Sequence, residues 1–149
     1  MPQPLLVLLH ILGATIWTGG HLVLAITVLP RALKAKDPAI VHDFEETFER
    51  LAVPALIMQI ITGVWLAYRQ VPDIGSWFVP DDPTAELIAT KLGILAVTLI
   101  LALDARLRLI PKLTSDRLVA LTWHIVPVTI LSVLFVFVGV WLQYRLPLW

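Results

Sequence analysis

Three long stretches of the chain carry no Asp, Glu, Lys or Arg: everything before Arg31, the interval from Arg50 to Arg69, and the interval from Arg117 to Arg145. A membrane-spanning helix needs about 20 mostly apolar residues. The first and third stretches supply them outright. The second supplies them once Arg50 and Arg69 snorkel at its ends. A fourth apolar stretch holds Lys91 and Asp104 inside it. The pattern predicts four helices, at roughly 5–29, 47–70, 86–109 and 117–144. The expected architecture is an all-α integral membrane four-helix bundle, one transmembrane domain over 1–149.

The connecting segments fit this reading. Pro30, the stretch 34–38 and the polar run to Asp43 predict a short loop. His42, Asp43, Glu45, Glu46 and Glu49 then mark an interfacial first turn or a short surface helix. The segment 71–83 has three prolines, one glycine and Trp77, and is expected to lie in the membrane interface. The segment 111–116 is a tight connection. The first apolar stretch lacks the basic leading region and small-residue cleavage site of a signal peptide, so it is read as helix one of the mature protein.

Composition sharpens the picture. Apolar residues make up 58% of the 149 and charged residues 15%, against about 25% charged in a soluble domain. Mean hydropathy is +0.86. These values exclude a water-soluble globule. Eleven basic residues balance eleven acidic ones, so no charge excess points to nucleic acid. No cysteine is present, which removes disulfides, thiolate nucleophiles and cysteine-based metal sites.

The charges are balanced overall but not by position. Four crossings put both termini and the 71–85 segment on one side. Arg31, Lys34, Lys36, Arg50, Arg106, Arg108, Lys112 and Arg117 fall on the other. Basic residues favour the cytoplasmic side. The expected placement is therefore multi-pass in the inner membrane, with both termini periplasmic.

Polar groups inside a bilayer are costly and mark function. The short list is His10, His21, Lys91, Asp104 and His124, with Met58 as a weak further ligand. His10 and His21 are eleven residues apart, about 16 Å of helical rise and close to three whole turns. They share one face at two depths. His124, entering from the basic side, is expected at the depth of His21. That geometry suits bis-histidine ligation of haem iron between two helices, and copper coordination is the alternative. Gly13, Gly19, Gly20, Gly63 and Gly93 give room for a flat ring or for close helix packing. Trp17 and Trp123 stand where they can pack on a macrocycle, with Trp65 nearby. Trp77, Trp141 and Trp149 suit an interfacial belt. His10 and Lys91, at similar depth, are expected to hold a carboxylate, such as a porphyrin propionate, or a quinone-like head group; the alternative for His10 is ligation of a second haem. Asp104, close to Arg106 and Arg108, is read as a salt-bridge anchor, with proton uptake as the sharper alternative.

These residues carry a resemblance. His10-Ile-Leu-Gly13, Trp17, Gly19-Gly20 and Leu29-Pro30-Arg31 look like the first helix of small CopD-like and HemJ-like membrane proteins. Phe44 to Arg50, Pro54, Thr62-Gly63, Lys91 and Pro127 extend the likeness over most of the chain. The HemJ-like branch implies haem binding and protoporphyrinogen oxidation, with His10 and Lys91 at its histidine and lysine positions. The CopD-like branch implies copper resistance or uptake. The chain departs from the HemJ pattern by adding His21 and by having Trp123-His124 where that branch tends to show Asn-Glu.

Two functions follow as expectations. The first is a haem b protein, with one haem or two, that transfers electrons or oxidises a quinol or porphyrin-like substrate. His21 and His124 are its axial ligands, and His10, Lys91, Trp17 and Trp123 complete the cofactor site. The second is a copper-binding or copper-transport protein using His10, His21 and His124. A structural subunit of a larger complex is a third reading. The expected partners are the lipid bilayer and a second copy in a homodimer, with no nucleic acid.

Overall fold

The computed structural model describes residues 2–79 and 82–145, with side chains as far as 141. Four long helices dominate. Helix α1 spans Gln3–Ala35, α2 spans Ala39–Gln70, α3 spans Pro83–Lys112, and α4 spans Leu118–Arg145. No strand occurs among the described residues. All four helices are long and apolar enough to cross a membrane. The protein is an all-α, multi-pass membrane bundle.

Four antiparallel helices place the start of α1, the end of α4 and the α2–α3 connection at one end, called here the terminal end. The α1–α2 and α3–α4 connections lie at the other, the basic end. The helices pack in the order α2–α1–α4–α3. Toward the basic end, Arg106 of α3 binds Glu49 of α2 at 2.6 Å.

The helices are longer than the charge gaps alone suggest. Helix α1 continues six residues past the expected end, through Pro30. It does so because a wide π-type turn at Leu24–Val28 directly precedes the resumed helix Leu29–Ala35. A proline inside a helix lacks the N–H donor and crowds the carbonyl four residues back. A π-type turn shifts the hydrogen-bond ladder by one residue, so the proline enters where the ladder is already displaced. Helix α3 repeats the arrangement, with a π-type turn at Ala105–Leu109 just before Pro111. The chain then reverses at Lys36, whose φ of 54° is the left-handed value of a helix C-terminus. Asp37 accepts the Ala39 N–H at 2.9 Å and starts α2 eight residues before the expected point. The acidic run 43–49 is thus the first turns of α2. Val41 is fully buried, and Phe44 stacks on Phe48 at 5.3 Å between ring centroids.

At the basic end, Leu24, Leu29, Ala32, Val41, Leu113, Leu118 and Leu121 form a buried cluster that joins α1, α2 and both ends of the α3–α4 connection. The outward faces are apolar, as lipid requires: Ile26, Ile100, Leu107, Ile130 and Phe137 are all exposed. At the terminal end, a 3-10 turn at Ile74–Phe78 follows α2. Asp73 caps it, accepting the Gly75 N–H at 3.1 Å and the Ser76 hydroxyl at 2.6 Å. The Ser76 hydroxyl, then the Gly75 N–H, hold the Asp73 carboxyl below the usual aspartate range. Trp77 is buried and donates its Nε1–H to the Val71 carbonyl at 2.8 Å, which closes the turn onto the end of α2. Trp149 lies outside the described residues.

Candidate functional site

One face of α1 carries Leu6, His10, Gly13, Trp17, Gly20, His21 and Leu24, at the three- and four-residue spacing of a helical stripe. This stripe faces the bundle interior. Its glycines set how closely α2 approaches. A Cβ on Gly13 would stand 2.9 Å from the Ala55 carbonyl oxygen and 3.1 Å from Gln59 Cβ. The Phe48 ring lies directly over Gly20.

His10 is held from α2. Its Nδ1–H donates to the Gln59 carbonyl and to the Thr62 hydroxyl oxygen, both at 3.0 Å. The Thr62 hydroxyl in turn donates to the Met58 carbonyl at 2.7 Å, so its oxygen is free to accept. A carbonyl only accepts, which places the proton on Nδ1 and leaves the Nε2 lone pair uncommitted. Gly63 makes room for the ring: a Cβ there would stand 2.9 Å from His10 Cε1. Lys91 lies on α3, toward the same end of the bundle. Its Nζ lies 5.1 Å from the Phe135 ring centroid, beside Gly139, and no carboxylate pairs with it among the described residues. His10 is thus held against α2, and Lys91 lies against Phe135 and Gly139 of α4.

His21 repeats the first arrangement deeper in the bundle. Its Nδ1–H donates to the Trp17 carbonyl at 2.8 Å, again leaving Nε2 uncommitted. The ring packs on Trp17 at 4.5 Å between centroids and meets Phe48 edge-on at 6.0 Å. The His21 backbone carbonyl accepts the Thr129 hydroxyl at 3.2 Å.

That last bond fixes the level of α4. His21 stands opposite Thr129, five residues beyond His124, or about 7.5 Å of rise. His124 instead turns to α3, where its Nε2–H donates to Asp104 at 2.9 Å. Asp104 also binds Arg108 at 3.1 Å. No hydrogen bond or ring contact joins His21 to His124 among the described residues. Equal depth was inferred from expected helix ends, and α1 extends beyond its expected end. Trp123 stands 76% exposed on the outer surface, one residue and so about 100° around from His124. Trp65 is also exposed, and Trp17 is buried.

Two polar residues escaped attention in the sequence. Gln59 and Thr98 are nearly fully buried, and neither Gln59 Oε1 nor Thr98 Oγ1 has a hydrogen-bond partner. A glutamine inside an otherwise apolar span was the available signal for the first. Thr98 lies seven residues from Lys91, on the same helix face.

A protein-family model described as "Copper resistance protein D" matches residues 42–142. No curated protein and no solved structure matches the chain. The match overturns the expectation of a haem b electron-transfer protein or oxidoreductase. The side chains agree with the correction. Among the described residues, His, Asp and Glu form no group of three or more placed to hold a metal ion, and the two histidines expected to clamp haem iron turn to different partners.

Proposed function

Because the chain belongs to the CopD family of membrane proteins, we propose that it handles copper, taking the ion into the bundle and passing it between the two faces of the membrane. One observation carries the reading beyond family membership. His10 and His21 both commit Nδ1 to a backbone carbonyl and keep Nε2 available. Metal-binding histidines are oriented in this way, with the second nitrogen fixed by a carbonyl or carboxylate. Imidazole suits copper among the first-row ions. The two rings lie on one interior stripe about 16 Å apart along α1, so they form successive stations rather than one closed site. The His124–Asp104 pair lies nearer the basic end.

In this reading the bundle sits in an inner membrane. Its arginine- and lysine-rich end faces the cytoplasm and both termini face the periplasm. Copper is the cargo, and the protein's part is to supply weak ligands in an otherwise apolar path.

The test compares cell copper, by atomic absorption, in strains with and without the chain under copper load. His10→Ala and His21→Ala are expected to abolish the difference between strains. His42→Ala, exposed near the start of α2, is expected to preserve it. Equal copper in cells with and without the native chain would overturn the proposal.

A further inference from the structure

Between the two imidazoles the interior is apolar. Trp17, Ala52 and Val128 are buried against one another, with Phe48, Leu56, Leu101 and Ala102 packed around them. These residues come from all four helices, so the plug fills the section of the bundle at that level. Toward the terminal end the lining changes character. Gln59 stands at the level of Gly13, one turn from Trp17. Thr98 stands about one turn from Leu101 and Ala102. The two residues therefore occupy a similar level, on α2 and α3.

Both keep an unpartnered buried oxygen. A buried polar group with no partner costs about 1–3 kcal/mol, and two at one level call for a common guest. Further toward the terminal end lie His10 Nε2, uncommitted, and Lys91 Nζ, with no carboxylate beside it. Water would satisfy such groups, since buried waters collect where two to four polar atoms converge. The apolar plug offers water nothing.

We infer that the terminal half of the bundle interior is a hydrated ion-entry chamber lined by His10, Gln59, Lys91 and Thr98, and that Trp17 closes its floor as a gate. This deepens the copper-transfer reading and rests on it for the identity of the ion. The chamber receives a small hydrated cation, and His10 Nε2 takes the place of one of its waters. Passage on to His21 requires the Trp17 indole to move away from Ala52 and Val128. The Trp17–His21 ring contact links that motion to the next ligand.

The chain has no cysteine, which makes single-cysteine accessibility a clean test. In sealed membrane vesicles, a small membrane-impermeant cationic thiol reagent is applied to the terminal face. Thr98→Cys and, from the opposite helix, Gln59→Cys are expected to label. Ala52→Cys is expected to stay unlabelled. Adding Trp17→Ala to the Ala52→Cys chain is expected to raise its labelling rate at least about tenfold. Val128→Ala, which thins the plug from α4, is expected to raise it less.

Failure of both Thr98→Cys and Gln59→Cys to label would refute the chamber. Rapid labelling of Ala52→Cys with Trp17 in place would refute the gate. Labelling needs no copper, so the two ideas fail separately. An intact labelling pattern without any copper phenotype overturns the cargo and leaves the gate. A copper phenotype with the wrong labelling pattern does the reverse.

Discussion

Gly13→Ala and Gly19→Ala form a matched pair. The same methyl group is added twice on the same helix, six residues apart, in opposite surroundings. At Gly19 a Cβ meets nothing within 4 Å. The change there should stabilise the helix by about 0.5–1 kcal/mol through reduced backbone freedom. At Gly13 the same methyl would stand 2.9 Å from a backbone oxygen of α2 and 3.1 Å from Gln59 Cβ. Neither is the far end of a flexible side chain, so relief requires the two helices to separate. Overpacking of this kind costs about 1–3 kcal/mol. The helix-propensity gain is common to both variants and cancels in the comparison, so the difference between them is the packing cost itself. Gly13→Ala should be less stable than Gly19→Ala by about 1–3 kcal/mol. Gly20→Ala should fall between them, because the obstructing group there is the Phe48 ring, a side chain that can swing aside. The assay is equilibrium unfolding of the purified protein in mixed micelles, titrated with a denaturing detergent and followed by tryptophan fluorescence. Equal midpoints for Gly13→Ala and Gly19→Ala would show that α1 and α2 do not cross at Gly13, and the interior stripe would have to be redrawn.

Three further outcomes follow. Removing the Thr62 hydroxyl with Thr62→Val leaves His10 Nδ1 held by the Gln59 carbonyl alone; copper affinity by competitive titration should fall about tenfold, the lower end of such losses, while His10→Ala should lose binding at that station. Arg108→Ala should change stability by under about 0.5 kcal/mol, since exposed ion pairs contribute little, whereas Asp104→Ala strips His124 of its partner and should lower the unfolding midpoint more. The Asp73 cap has a pH sign: its carboxyl titrates below the usual aspartate value, so its stabilisation of the Ile74–Phe78 turn is complete above about pH 4 and is lost as pH falls through the lowered value. Trp77 fluorescence should report that loss on acidification, and Asp73→Ala should remove the transition.

The four helices were legible because lipid imposes one simple rule on charge, and the chain obeys it between Arg50 and Arg69 and between Arg117 and Arg145. The helix ends were less legible. Pro30 reads as a stop, and only the preceding π-type turn at Leu24–Val28 lets the helix pass it. Depth counting puts His10 and Lys91 toward the same end of their helices, and the structure has both there. The partners of His21 and His124 were not legible in this way. A register offset of one and a half turns changes which helix a ring faces, and that offset is set by packing at Gly20, Phe48 and Thr129 rather than by any local motif. The copper assignment was legible only as the second of two readings. Imidazoles at matched spacing suit either metal centre, and only the family match favours the second reading over the first.

The Trp17 plug also has an electrical consequence. A uniform bilayer spreads the membrane potential over about 30 Å of hydrocarbon. The proposed hydration on the terminal side of Gln59 would shorten that distance from one face. The apolar section from the Gly13 level to His21 is eight residues of helix, about 12 Å. With the proposed chamber hydrated, the voltage drop would concentrate on the basic side of Gln59 and the local field there would rise. An elementary charge carried across the whole membrane exchanges about 2.3 kcal/mol per 100 mV. With a gate at Trp17, a larger share of that energy would fall in the step past one indole ring, so the voltage dependence of ion passage would report the movement of Trp17.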